Sequence, residues 1–165
     1  MWGLIGVIVA VVIIVVAVIG GVFYLGMRRR SPVVLGAVRR FSRSVVNPRM
    51  LKTAGRPGAY ASLVVNHGRR TGREYRTPVV AAPADDGFVI ALPYGTTSNW
   101  VRNVVASGSA TLVNEGVSYE VDRPEIVPLA AMNHHFPEKE QRSHTRFRVE
   151  SCMRLRRAGA PTEAA

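Results

Sequence analysis

The sequence predicts a mainly β domain of the α+β class, a small barrel with one or two short helices, preceded by an N-terminal transmembrane helix. Three observations predict it. An uncharged, apolar run occupies residues 2–27. Short apolar runs then alternate with Gly, Asn and Asp turns at hairpin spacing. Among them, residues 98–107 carry a helix start, a helical period and a helix stop.

The 165 residues suffice for one domain with an appendage. A single cysteine, Cys152, excludes a disulfide framework and a Cys-rich metal site. An apolar content of 47% excludes global disorder. The net charge is +11, and every basic residue except Lys52 and Lys139 is arginine. The guanidinium fork suits phosphates and carboxylates. The excess therefore points to an anionic partner: lipid headgroups, nucleic acid or a polyanionic small ligand.

Spanning a bilayer takes about 20 apolar residues in a helix, and residues 2–27 exceed that. A cleaved signal peptide would have basic residues ahead of the run and a small-residue cleavage site behind it. Neither is present. Arg28, Arg29 and Arg30 flank the C-terminal end alone, which by the positive-inside rule makes a single-pass protein of the cell membrane with its domain in the cytoplasm. The lone cysteine agrees with that reducing compartment. The expected boundaries are a transmembrane helix at 1–27, a basic linker with an amphipathic helix at 28–48, a barrel at 49–155 and a flexible tail at 156–165.

Within the linker, Ser31-Pro32 reads as a helix start. Val34, Val38, Phe41 and Val45 recur at helical spacing, with Arg39, Arg40 and Arg43 between them. The helix is expected to end before Asn47-Pro48. Two roles are open to it: lying on anionic lipid or capping the folded domain.

Strands are expected at 60–66, 75–82 and 88–94, with Asp85-Asp86-Gly87 as a turn. Ser98 is expected to cap a helix through Ser107, with Gly108 as its stop. Val101, Val104 and Val105 should form its buried face. Residues 111–114, the turn Asn114-Glu115-Gly116 and residues 117–121 make a further hairpin. A weaker strand falls at 149–155. Five or six hairpin-linked strands suggest a small barrel rather than a doubly wound sheet.

Two segments carry chemistry. In Gly68-Arg69-Arg70-Thr71-Gly72-Arg73, running on to Arg76-Thr77-Pro78, the glycines allow successive N–H groups to converge on an anion. The arginines add charge, and Thr71 and Thr77 add hydroxyls. No Gly-Lys-Ser/Thr ending makes it a Walker loop; an ordinary basic hairpin turn is the alternative. In the second segment, Tyr94 and Gly95 lead through a hydroxyl-rich loop to Ser98 and a helix N-terminus, which favours anions. Trp100 and Asn103 lie three apart and share a face. That face is either a pocket wall or plain core.

The pair His134-His135 makes no metal site, because adjacent residues diverge and nothing completes a tetrahedral set. Ser98 lacks the surroundings of a hydrolytic nucleophile. No aromatic residues interleave the arginine turn, so a nucleic-acid partner is not expected.

The order Gly-Arg-Arg-Thr-Gly, Arg-Thr-Pro-Val, an Asp-Gly hairpin, Tyr-Gly and Asn-Trp-Val-Arg-Asn resembles the deazaflavin-dependent nitroreductase and quinone reductase family of actinobacteria, over about residues 50–122. The resemblance implies a split β-barrel that binds coenzyme F420, a two-electron hydride carrier. Carried over, Arg69, Arg70, Thr71, Tyr94, Gly95, Trp100 and Asn103 are candidate cofactor residues, joined by Arg76, Thr77 and Ser98 of the same segments. Many relatives carry arginine where this chain has Tyr75, and a strand alternates faces, which sets Arg76 apart. Quinone-reducing relatives carry tyrosines in their C-terminal part, whereas no tyrosine follows Tyr119 here. Tyr94, His134 and His135 are then the candidate proton donors, histidine titrating near neutral pH. The implied activity is hydride transfer from reduced F420 to a nitroaromatic or quinone-like small molecule, a membrane quinone in view of the tether. Two alternatives stand beside it: a barrel that binds F420 or lipid without turnover, and a reductase dependent on flavin mononucleotide (FMN).

Overall fold

The computed structural model describes residues 2–158. The chain opens with helix α1 (Trp2–Arg28). Its stretch Ile5–Arg28 is long and apolar enough to cross a membrane. Among its described side chains, only Gly26 and Met27, at its C-terminal end, are buried.

After a three-residue turn the chain re-enters helix as α2 (Pro32–Phe41), continues through a π-helical turn (Ser42–Val46), and ends as α3 (Asn47–Met50). The helix therefore does not stop before Asn47-Pro48. Pro48 falls in the first turn of α3, where a missing N–H is tolerated. The π-helical turn takes up the change of register. The α1–α2 corner is tight because of Gly26: a Cβ there would fall 2.8 Å from Val34 Cβ.

The rest is a seven-stranded antiparallel half-barrel: β1 (Ser62–His67), β2 (Glu74–Val79), β3 (Ala81–Ala84), β4 (Gly87–Ala91), β5 (Ser109–Asn114), β6 (Val117–Pro128) and β7 (Ser151–Arg157). Their order across the sheet is β2-β1-β5-β6-β7-β4-β3. The expected single strand at 75–82 is two strands on opposite edges, joined through Val80. The barrel is thus split where the chain is continuous. β7 is not peripheral; it pairs with both β6 and β4. β6 runs well past residue 121, bending at an irregularity between Asp122 and Glu125 where Arg123 has φ 49°.

Helix α4 (Asn99–Ser107) covers one face. Three further pieces fill the connection from β6 to β7: α5 (Leu129–Met132), a 3₁₀ turn (Asn133–His135) and α6 (Glu138–Arg146). Residues 156 and 157 belong to β7, and the tail from residue 159 onward lies outside the described residues. The class is α+β, as expected.

The core has two parts. Val64, Phe88, Ile90, Leu112, Met153 and Leu155 pack with Val101 and Val104 of α4 on one side of the sheet. Val89 and Cys152 pack with Leu129 and Phe136 on the other. Successive side chains of β4 alternate between the two, so its sequence Phe88-Val89-Ile90 is apolar throughout. Each such burial contributes about 1.5–3 kcal/mol. The buried face of α4 differs from expectation at one position: Val105 is 49% exposed, and Asn103 is buried in its stead. Gly87 is required by close strand approach, since a Cβ there would run into the Leu155 carbonyl and fall 2.8 Å from Arg156 Cα.

Candidate cofactor cleft

A cleft of about 1050 Å³ lies over the split in the barrel. The seam itself lines it, through residues 77–80 at and just past the end of β2, Ala91 at the end of β4 and Leu92 after it. The turn between β1 and β2 forms one side. The loop from Pro93 and the first turn of α4 form the next. The α2–α3 rod lines it through Val38, Arg39, Ser42, Val46 and Met50, and touches the loop where Arg39 meets Thr97. Phe23 and Met27 from the end of α1 line it together with Phe147 and Val149, the Phe23 and Phe147 rings standing edge to face.

All ten residues expected to hold the cofactor line this cleft: Arg69, Arg70, Thr71, Arg76, Thr77, Tyr94, Gly95, Ser98, Trp100 and Asn103. The local chemistry explains their placement. Gly72 donates to the Gly68 carbonyl and Gly68 to the Arg73 carbonyl, both at 2.8 Å, which closes the turn. The Arg69 N–H goes to Asn103 Oδ1 (3.3 Å) and the Arg73 N–H to Thr71 Oγ1 (3.4 Å). Most of the supposed N–H nest is therefore used by the protein itself, and capacity for an anion falls to the arginine side chains.

Asn103 is 5% exposed and also accepts from the Arg69 guanidinium at 2.9 Å. It ties one arginine of the β1–β2 turn to α4. Trp100, one turn earlier, packs against the main core while bordering the cleft. Wall and core are thus the same residue. Ser98 occupies the N-cap position with extended φ and ψ but makes no side-chain cap bond. Gly95 donates its N–H to the Leu92 carbonyl at 2.9 Å and then turns the chain with φ 76°, a left-handed conformation that glycine adopts without strain. Arg76 and Tyr75 both border the cleft, and Arg76 is drawn to Glu74 at 2.9 Å.

His134 and His135 are placed elsewhere. Their rings lie together, 4.1 Å between centroids, on the 3₁₀ turn, and neither lines the cleft. Helix α6 supplies residues that sequence reasoning missed: Glu140, Ser143 and His144. His144 Nδ1 is 2.8 Å from Asn133 Oδ1, and its ring stands edge-on to Phe136. Burial lowers its pKa, opposed by the nearby Glu140. Tyr60 donates to Glu140 at 2.9 Å, and burial together with that bond pushes its hydroxyl up to about 12. A signal for α6 was present: Glu138 and Glu140 in the first turn, and His144 and Arg146 in the last, match the helix dipole. Arg39 is a further omission. It donates to Thr97 Oγ1 at 2.9 Å, and its Nε is buried without a partner.

Electrostatically the lining is one-sided. It holds five arginines (Arg39, Arg43, Arg69, Arg70, Arg76) against one carboxylate, Glu140. No cluster of metal-ligating side chains occurs among the described residues.

No protein-family profile and no curated protein matches the chain. Solved structures share its course in part. A protein of unknown function from Agrobacterium tumefaciens is 13% identical over 62% of this chain, with a TM-score of 0.45, and this chain spans 50% of its length. The heme storage protein HutZ from Vibrio cholerae is 10% identical over 68% of this chain and 90% of its own, with a TM-score of 0.45. A structure described as an F420 reductase is 13% identical over 66% of this chain and 92% of its own, with a TM-score of 0.41.

Proposed function

We propose that this protein is a membrane-anchored oxidoreductase that binds the deazaflavin coenzyme F420 in the cleft over the barrel split and passes its hydride to an acceptor dissolved in the bilayer. The observation that carries the reading is the convergence of the arginine turn, the Tyr94–Ser98 loop, the N-terminus of α4 and Trp100 on one cleft.

The residues present suit such a group. The volume is at the upper end of small-molecule pockets. Five arginines facing one carboxylate suit a ligand bearing a phosphate and a carboxylate tail. The unpartnered Arg39 Nε is one further donor. When bound, the coenzyme supplies a hydride from its ring. The protein binds, orients and shields. Arg69, braced by Asn103, and Arg70 take the anionic part. Trp100 and residues 77–80 of the seam give a flat apolar wall for the ring. The first-turn N–H groups of α4 point their positive end at the cleft. Tyr94 is the proton donor at the cleft, which His134 and His135 do not border. His144, hydrogen-bonded through Nδ1 to Asn133, is kept neutral by its burial.

A second reading is favoured by a separate observation. Phe23, Met27, Val38, Val46, Phe147 and Val149 make part of the lining apolar. That half would suit an alkyl chain held without turnover, in a lipid-binding or cofactor-storing protein.

The full chain in nanodiscs decides between them, titrated with oxidised F420 and with FMN while following cofactor fluorescence. Micromolar F420 binding, with reduced F420 oxidised by a bilayer quinone, supports the reductase. Binding without oxidation supports the storage reading. Preference for FMN replaces the coenzyme, and binding of neither sinks the assignment.

A further inference from the structure

The α2–α3 rod has two faces, and only one is used by the protein. Leu35, Val38, Arg39, Ser42, Val46 and Met50 point toward the cleft and the domain. The opposite face carries Val33, Ala37, Arg40, Phe41, Ser44 and Pro48, with Arg49 beside Pro48 at its end, all exposed. Those positions recur at three, four and seven, so they form one stripe along the rod. It is a mixed stripe: Val33 is 75% exposed and Phe41 59%, with an arginine between them.

The charge around that stripe is of one sign. Between Arg28 and Arg56 the chain has nine basic residues and no acidic one, and its first carboxylate is Glu74. Among the described residues, only Arg30 of these nine forms an ion pair, with Glu150 at 3.3 Å. The rod also begins three residues after α1, the helix long enough to cross a membrane. Pinned there, it cannot move far from the headgroups. Apolar side chains flanked by arginines are what an interfacial helix presents to an anionic leaflet.

We propose that the outer face of the α2–α3 rod lies in the headgroup region of an anionic bilayer leaflet, with Val33 and Phe41 immersed and Arg40 and Arg49 on lipid phosphates. The rod's inner face is a wall of the cleft, so the bilayer surface holds that wall in place. The proposal rests on the reading of α1 as a membrane anchor.

The test uses site-specific nitroxides on the full chain in nanodiscs. Cys152 is fully buried and burial pushes its thiol up to about 11, so an introduced surface cysteine is labelled selectively. Labels go at Phe41→Cys, at Val12→Cys in α1, and at Val117→Cys on the β5–β6 hairpin. Collision with oxygen reports lipid, and collision with a water-soluble nickel chelate reports solvent. With phosphatidylglycerol nanodiscs, the Phe41 label is expected to be oxygen-accessible and shielded from nickel, unlike the Val117 label. Phosphatidylcholine alone, or Arg40→Glu with Arg49→Glu, should raise nickel access toward that of the Val117 label, since each arginine contributes about fivefold to the docking equilibrium. A Phe41 label as nickel-accessible as Val117, beside a lipid-embedded Val12 label, overturns the docking and spares the anchor. A Val12 label open to nickel overturns both. Equal shielding in both lipids, or in lipid-free detergent, overturns the anionic leaflet as the partner.

Discussion

Asn103 Oδ1 receives both the backbone N–H and the guanidinium of Arg69, at 3.3 Å and 2.9 Å, across 34 positions of chain. One buried amide on α4 thereby fixes the aim of an arginine on the β1–β2 turn. A hydrogen bond to a charged group contributes about 1.5–3 kcal/mol. Asn103→Leu should weaken F420 binding about tenfold and lower Tm, because the Arg69 donors lose their acceptor. Asn103→Asp should keep the fold but still weaken binding, since a carboxylate neutralises Arg69. Fluorescence titration with calorimetry separates the two. Unchanged affinity in both would place the coenzyme elsewhere.

Arg70 lines the same cleft, is exposed, and is in no ion pair among the described residues. Arg70→Ala should cost about tenfold in F420 affinity, within the range for a charge-assisted bond. Stability should change by less than about 0.5 kcal/mol, as for an ordinary surface substitution. Affinity in the variant should also respond less steeply to salt. Titrations at several ionic strengths measure this directly.

His144 makes stability pH-dependent. Its folded pKa is lowered from 6.5 by burial, the neighbouring Glu140 opposing in part. The unfolded chain therefore takes up a proton more readily than the folded one as pH falls through 6.5. Tm should fall on going from neutral pH to about pH 5, and less steeply in His144→Gln. Equal slopes would show that other groups carry the acid sensitivity.

Gly87 faces the backbone of β7, with no room for a Cβ. Gly87→Ala should destabilise by about 1–3 kcal/mol through overpacking. Denaturant unfolding followed by circular dichroism provides the number; a neutral result would mean that β4 and β7 can separate without penalty.

Much of this architecture was legible because it is local. The Asp-Gly and Glu-Gly turns, the Ser98-to-Gly108 helix and the apolar opening run depend on residues close in sequence. The break at Val80 was not. Residues 75–82 read as one strand because each half alone suits a strand, and only the pairing of each half with a different neighbour separates them. Helix α6 was missed since its sequence, Glu-Lys-Glu-Gln-Arg-Ser-His-Thr-Arg, has no apolar stripe; its ends, not its face, announce it. In the site, the arginine turn and the α4 loop were readable as anion-binding chemistry. Which backbone donors the turn would spend on itself, and that His144 rather than His134 or His135 would reach the cleft, depend on tertiary packing.

The central position of β7 has a consequence for synthesis. The β3–β4 hairpin is complete once residue 91 has been made, yet its neighbour across the sheet is β7, residues 151–157. Until that segment leaves the ribosome, β4 presents an unpaired apolar edge, while α1 has long since emerged. The half-made sheet must therefore wait for its last strand, the stage at which an exposed strand edge is most prone to aggregate.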